Sequence, residues 1–476
     1  MIRMTVGDLV AATGATLVCG AADAAFEGVT IDSRTVEPGM LFCALLGERT
    51  DGNRYVGAAI GSGASVVVVT AEPQQTDLDR AAEMGAAILR AEGDDGEEFL
   101  LRLARAWRER NPQWLVVGIT GSVGKTTTKE MLAAGLGANR RTYATKGNLN
   151  SLFGVPLTLF AADPADEVLV VEMGMNNKGE IARIAHAAMP AVAVITNVGV
   201  SHIGMLGSRE NIARAKAEVV GAIRAAHGVG PVLVLTDGDD YTGFIERDFA
   251  APAGVACVHA GRAGERVWAQ DVTLDAEGRA TLTLHVGDAV LEGTLSIPGR
   301  AMVADLVSAM AAIDACGLDV RAAFEAICAM EGAHMRLEVR GGDGRVRVID
   351  DTYNASPVSM AASLDVLESM ACTGRRIAVL GEMGELGDEA GRLHAMVAAY
   401  AAAKGLDLIA FVGTELADAM REAAITMGYS EDRVERFADA HAAASVLGPI
   451  LRADDLVLVK ASRAAGLDAF VEEVLQ

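Results

Sequence analysis

Apolar and polar positions along the chain fall into a repeating pattern. Short apolar runs of four to six residues occur at 41–46, 66–69, 115–119, 168–171, 191–195 and 232–235. Each is followed by turn residues, a polar loop or a helix-like stretch. Apolar runs of this length between turn signals read as buried strands. Strands that alternate with helices predict a parallel sheet covered by helices. The stretch 280–297 differs: it alternates apolar and polar residues on both sides of Gly287-Asp288. That period of two around a turn pair predicts an antiparallel hairpin. Beyond residue 332 the first pattern returns, at 346–349, 377–380, 408–412 and 456–459, and predicts a second open α/β domain.

The chain is thus expected to be α/β with three domains, over residues 1–90, 91–331 and 332–476. The acidic run "EGDDGEE" at 92–98 is taken as the linker between the first two. No internal repeat or low-complexity tract interrupts the pattern.

Composition narrows the function classes. The 476 residues are 51% hydrophobic, so several cores can be filled. The net charge is −23, from 41 basic and 64 acidic side chains, which argues against non-specific nucleic-acid binding and against docking on anionic lipid. No apolar run approaches the ~18 residues of a membrane span. The first residues lack the charged head, apolar core and cleavage site of an export signal, so a cytoplasmic protein is expected. Cys19, Cys43, Cys257, Cys316, Cys328 and Cys372 are scattered without a C-x-x-C pair, and are expected to be free thiols.

Candidate chemistry starts at "GITGSVGKTTTKEM", residues 118–131. The phosphate-loop template G-x-x-x-x-G-K-[ST] wants glycine at position 119, where the chain has Ile119. The flanks nevertheless fit, with an apolar strand before the loop and a helix-compatible stretch after it. A glycine turn at a helix N-terminus presents backbone N–H groups and the helix dipole to an anion. Gly121 and Gly124 would permit close approach, Lys125 would meet the β- and γ-phosphates, and the Thr126 hydroxyl would reach Mg²⁺. Glu172 ends an apolar strand, a place where carboxylates face the ligand crevice and can hold the metal of a nucleotide. His202 follows another strand end, and the ligand and structural readings stand equal there. Lys216 lies in the helical stretch "ENIARAKAEVV", which by itself reads as a charged, solvated face. Arg336 sits at a domain junction, where an arginine can clamp a phosphate. Asp350 and Asp351 end a strand, and the plainer reading for them is a turn with Asn354 and Pro357.

Taken together, "TGSVGKTTTKEM", "GNLNSLFGVPLTL", "VVEMGMNNKGEI", "TNVGVSHIGMLGSRENIARAKAE", "MRLEV" and "IDDTYNASPVSM" resemble the ATP-dependent Mur ligases of peptidoglycan synthesis. The loop without its first glycine is a variant found in that family. "DSR" at 32–34, "FCALLGERTDGNRYV" at 42–56 and "LVLVKASR" at 456–463 extend the resemblance over nearly the whole chain. It implies an N-terminal domain for the UDP substrate, a central phosphate-loop domain for ATP and a Rossmann-like C-terminal domain. It implies phosphorylation of the terminal carboxylate of a UDP-MurNAc-tripeptide by ATP. The amine of D-Ala-D-Ala then attacks the acyl phosphate. A monomer is expected.

By position, the resemblance puts Gly121, Ser122, Gly124, Lys125, Thr126, Thr127, Asp305, Arg336 and Asp351 around ATP, with Arg336 at the γ-phosphate and Asp351 at the ribose. Thr126 and Glu172 would hold one Mg²⁺ ion, Glu172 and His202 a second, and Lys216 would be carbamylated as a further ligand. Asn148 and Asn150 would line the substrate side, and Ser33 and Arg34 the UDP site. Two departures stand out. After "PGR", Met302 and Asp305 replace an asparagine pair that helps read adenine, so weaker discrimination among purines is expected. Gly204 also stands where an acidic residue is common. The nearest rival is a family member that adds a single amino acid, but its Asp-Asn-Pro-Arg motif is absent. Folylpolyglutamate synthase shares the core but matches "GNLNS" and the first domain poorly. A non-catalytic scaffold would have lost the metal ligands that are present here.

Overall fold

The computed structural model describes residues 1–47 and 50–476. Glu48 and Arg49, within the "FCALLGERTDGNRYV" stretch, lie outside the described residues. The chain forms two compact units, and both are α/β.

The first unit comprises Met1–Ile119, Arg140–Ala193 and Glu218–Val232. One five-stranded sheet runs in the order Thr16–Cys19, Ala87–Arg90, Val66–Val69, Leu41–Cys43, Val29–Thr30. Only its first pairing is antiparallel. Every side chain of Val66–Val69 is buried, which explains a strand that reads as an unbroken apolar run: both faces of a central parallel strand are covered. Phe42, Val67, Val69, Ile88, Val56 and Ile60 form the core beside it. A second set of strands, Thr142–Ala144, Val168–Glu172 and the strand that begins at Leu115, pairs in parallel. Here Glu172 is in register with Ile119, from which the chain enters the glycine loop.

The acidic run at 92–98 is not a linker. Glu92–Asp94 form a short 3₁₀ turn, Asp95 is a helix cap, and Gly96–Glu98 open the helix Gly96–Arg110. Asp95 caps it by accepting from the Glu98 N–H at 2.9 Å, while Glu97 and Glu98 lie in its first turn and Arg108 and Arg110 in its last. Carboxylates at the N-terminus and cations at the C-terminus both complement the helix dipole. Charge density mimicked a linker because helix starts and linkers share acidic residues. What distinguishes them is the apolar spacing that follows, with Phe99, Leu100, Leu103, Ala104 and Trp107 buried.

The second unit comprises Thr120–Asn139, Val194–Ala217 and Leu233–Gln476. The expected hairpin is present: Arg279–Val286 pairs antiparallel with Ala289–Pro298, and Gly287 turns with a φ of +55°. The preceding strands Ala256–Ala260 and Val267–Leu274 extend this sheet. A separate six-stranded sheet runs in the order Glu338–Gly341, Arg347–Asp351, Leu456–Lys460, Arg376–Gly381, Leu408–Val412, Val434–Phe437. All but the first pairing are parallel. The last strand in the chain, Leu456–Lys460, sits between two earlier ones. Carboxyl ends around such a switch in strand order are where open α/β sheets bind ligands. The edge strands 338–341 and 434–437 escape the apolar-run reading, because a sheet edge is open to water: no side chain of the first and only half of those of the second are buried. Among the described residues no helix is long and apolar enough to cross a membrane.

The Asp95 cap gives a direct check. Asp95→Ala should destabilise the fold by ~1 kcal/mol, the usual worth of an N-cap, read as a lowered midpoint of urea unfolding. An unchanged midpoint would return the segment to the status of a linker.

Candidate functional site

Two steric facts shape the glycine loop. Gly121 has a φ of +152°, and a Cβ there would stand 1.8 Å from Thr196 Oγ1. Gly124 has a φ of +85°, and a Cβ there would stand 2.2 Å from Asp305 Oδ1. Both positions therefore need glycine for close approach and backbone conformation. Ile119 is fully buried in the strand before the loop, so no glycine is required where the template has one. The helix Lys125–Gly137 begins directly after Gly124.

The Thr196-Asn197 strand end is the scaffold of this loop. The Ser122 N–H donates to Asn197 O (3.0 Å), the Val123 N–H to Asn197 Oδ1 (3.0 Å), and the Thr196 hydroxyl to Val123 O (2.6 Å). The Ser122 hydroxyl accepts from the Gly199 N–H at 2.9 Å. Lys125 Nζ folds over the loop and donates to Gly121 O at 2.8 Å. Thr126 and Thr127 follow in the first helical turn.

Arg336 reaches this turn from far along the chain: its Nη2 donates to Thr126 Oγ1 at 3.0 Å. Its guanidinium is steadied by the Tyr353 ring, 4.2 Å below. A hydroxyl suited to a metal and a cation suited to a phosphate are thus adjacent, as a metal–nucleotide complex requires. Lys216 is only 1% exposed, which overturns the reading of a solvated lysine. Burial, and then the charge of Lys125, push its pKa well down.

His202 takes a left-handed conformation (φ +63°), and its Nδ1 lies 2.7 Å from Glu385 Oε2. The His202 ring beside it holds the Glu385 carboxyl below the usual range. Glu385 carried no motif. Its only signal was a position in a glycine-rich loop after a strand of an open sheet. The departure at Gly204 has a steric cause: a Cβ there would stand 2.7 Å from Gly387 N, so no acidic side chain fits.

Asp305 is buried beneath the glycine loop, with the Thr128 hydroxyl 3.4 Å from its Oδ1. Burial pushes its pKa up to about 7. Its carboxyl is therefore occupied against the loop, and Met302, at the start of the same helix, is buried as well. The Asp351 carboxylate is also engaged: Oδ2 accepts from Lys460 Nζ at 2.5 Å and from the Ser363 hydroxyl at 2.6 Å. Asp350 takes the turn role, accepting from the N–H and hydroxyl of Thr352. No local motif marks Lys460 or Ser363: Lys460 meets Asp351 through the register of neighbouring strands, and Ser363 reaches it from the helix Pro357–Ser369.

In the first unit, Glu172 is buried and its Oε1 accepts from Asn150 Nδ2 at 2.8 Å. A Cβ at Gly174 would crowd Asn150, and the Asn150 N–H is tied to Asn148 O at 2.8 Å. Arg34 follows Ser33 in a short 3₁₀ turn and makes a fork with Asp32, with Nη2 2.6 Å from Oδ2. One further group of metal-ligand type among the described residues, Asp237, His259 and Glu265, already has the Arg262 guanidinium 3.1 Å from Asp237.

Three family models match the chain: Mur ligase family, catalytic domain, over residues 25–108; Mur ligase middle domain, over 119–313; and Mur ligase, glutamate ligase domain, over 335–463. A relative from Mycobacterium tuberculosis, UDP-N-acetylmuramoyl-tripeptide–D-alanyl-D-alanine ligase, is 35% identical and aligns over 100% of this chain and 98% of its own. The crystal structure of MurF from Acinetobacter baumannii superposes with a TM-score of 0.88 at 29% identity, covering 100% of this chain and 99% of that one. MurF ligase from Thermotoga maritima, solved in complex with ADP, gives a TM-score of 0.78 at 26% identity, covering 94% and 97%.

Asp305 makes stability depend on pH. Its carboxyl titrates near 7 when folded and near 3.8 when unfolded. Between those values the folded state keeps a proton that the unfolded state has lost, so stability falls as pH rises through that window. Asp305→Asn removes the cost. Its stabilising effect should be near zero at pH 4 and grow toward ~4 kcal/mol by pH 8, at ~1.4 kcal/mol per pKa unit. Urea unfolding at the two pH values measures it. A difference that does not vary with pH would show that Asp305 stays ionised.

Proposed function

The chain belongs to the Mur ligase family, and from that premise we propose how its side chains carry the reaction. It is an ATP-dependent ligase that joins D-Ala-D-Ala to UDP-N-acetylmuramoyl-tripeptide in peptidoglycan synthesis. The observation that carries this reading is full-length similarity, 35% identity over the whole chain, to a ligase of that name.

We propose that the glycine loop and Lys125 hold the β- and γ-phosphates, and that Arg336 meets the γ-phosphate as it transfers. The terminal carboxylate of the tripeptide attacks the γ-phosphorus and ADP leaves. The amine of D-Ala-D-Ala then adds to the acyl phosphate carbon, loses its proton, and phosphate is expelled. Mg²⁺, when bound, neutralises the repulsion between the nucleotide and the incoming carboxylate. Thr126 and Glu172 would hold the ATP metal, and Glu172 and His202 a second one. The adjacency of Thr126 and Arg336, and the Asn150 bond that orients Glu172, fit those roles. Lys216 is proposed to carry a carbamate. Capture of CO₂ needs a neutral amine, and burial pushes Lys216 toward that form.

Asn148 and Asn150 are proposed to face the tripeptide, and Ser33 and Arg34 the UDP group. The engagement of Asp351 with Lys460 and Ser363 means that it would contact a ribose only through its remaining lone pairs. We assign residues 1–90 to the UDP substrate, 91–331 to ATP and 332–476 to the amine, in a cytoplasmic monomer.

Phosphate release should require ATP, UDP-MurNAc-tripeptide and D-Ala-D-Ala together, with a pentapeptide product by mass. Faster turnover with a single amino acid would move the chain to the rival ligase class. Lys125→Ala should abolish release and leave circular dichroism intact, because it removes a contact made to charge that develops on transfer.

Lys216→Ala should lose most activity, and a short carboxylic acid in the buffer should restore part of it by standing in for the carbamate. Full activity in the variant would take Lys216 out of the mechanism.

A further inference from the structure

His202 and Glu385 meet in an unusual way. Both are non-glycine residues in the left-handed region, with φ of +63° and +64°. Such conformations cost of order 1–3 kcal/mol each and persist where the surroundings impose them, often at functional sites. The backbones are joined too, as the Gly204 N–H donates to Glu385 O at 3.3 Å. Gly204 and Gly387 close the contact so tightly that a Cβ on either would stand 2.7 Å from the other's backbone.

The loop that carries Glu385 is firmly seated. The Met383 N–H donates to Nε2 of the fully buried His394 at 2.8 Å, and His394 Nδ1 donates to Ala390 O at 2.7 Å. Glu382 Oε1 accepts from the N–H (2.6 Å) and hydroxyl (2.7 Å) of Thr414. Leu386 is buried. The carboxylate is therefore delivered to His202 by a fixed support.

At the contact, Glu385 Oε2 is 2.7 Å from His202 Nδ1; the approach is too oblique for a well-formed hydrogen bond, and no other group bonds this buried nitrogen. A carboxylate on one ring nitrogen fixes the tautomer, aims the ring and raises the basicity of the other nitrogen. We infer that Glu385 is the positioning residue for His202: it holds the proton on Nδ1 and leaves Nε2 as the ligating atom. The inference rests on the reading of His202 as a metal ligand. It assigns to the C-terminal segment a part in building the metal site, in addition to receiving the amine. The clash that excludes an acidic side chain at 204 is compensated, because the carboxylate arrives from 385.

The test uses Mn²⁺ binding to the full chain in the presence of ADP, followed by electron paramagnetic resonance, with ¹⁵N resonances of the imidazole rings as an independent readout. Glu385→Gln should weaken Mn²⁺ about 10-fold, at the low end of the cost of losing a residue that orients a ligand. Glu385→Asp should fall between it and the parent. In the ¹⁵N spectrum His202 should be the Nδ1–H tautomer, and lose that preference in Glu385→Gln. In the His202→Ala background, Glu385→Gln should cost nothing further, as expected for residues acting through one another. Loss of affinity in His202→Ala but not in Glu385→Gln, with the tautomer unchanged, would overturn the role of Glu385 and leave the metal reading standing. Unchanged affinity in His202→Ala would instead remove the metal role of His202, and the inference with it. A fall in thermal midpoint without a change in affinity or tautomer would make Glu385 a structural tie only, which also overturns the inference.

Discussion

The close approach of the glycine loop to its surroundings is the constraint on which the second unit's chemistry depends. Backbone N–H groups can converge on an anion only if no Cβ of their own props the loop away from its support. Here the space a Cβ would need is already taken, by Thr196 Oγ1 behind Gly121 and by Asp305 Oδ1 behind Gly124. The loop is therefore held from the back by the Thr196-Asn197 strand end and by the helix that carries Asp305, and its shape does not wait for a ligand. Pre-organisation of this kind means that little reorganisation is left for the moment of phosphoryl transfer.

The second unit buries charge in ways that a fold selected for stability alone would avoid. Lys216, Asp305 and the Lys460–Asp351 pair are each removed from water. Desolvation of an ion costs several kcal/mol unless it is paired or neutralised. Lys460 and Asp351 are paired, and Ser363 adds a hydrogen bond. Lys216 and Asp305 meet the cost through shifted pKa values, downward for the amine and upward for the acid. Groups perturbed in this way beside a glycine loop are the pattern expected of a functional site, whereas the Lys460–Asp351 pair at a switch in strand order also ties together two strands of the six-stranded sheet.

Glu385 and Arg336 show how residues remote in sequence complete that site. Arg336 touches the first turn of the helix after the loop, and Glu385 touches His202. Both come from the segment beyond residue 332, and both are steadied by neighbours: a Tyr353 ring in one case and a loop pinned by His394 and Thr414 in the other. A ligase that must exclude water from an acyl phosphate gains from a site assembled by two segments, since the reactive geometry exists only where both are in place.

By itself the sequence determined the α/β class, the buried strands, the hairpin around Gly287-Asp288, the glycine loop that leads into the helix beginning with Lys125 and Thr126, and, through its motifs, the family. Those features are local: an apolar run, a period of two or a glycine spacing has the same meaning wherever it sits in space. The tertiary structure alone decided that Lys216 is buried, that Gly204 leaves no room for a carboxylate, and that Asp351 is held by Lys460. It alone showed that Asp305 lies under the loop and that Glu385 stands at His202. Each of these depends on which strand lies beside which, and on where a loop packs. Burial and partner choice are set by contacts across more than a hundred residues, and no local pattern of side chains encodes them.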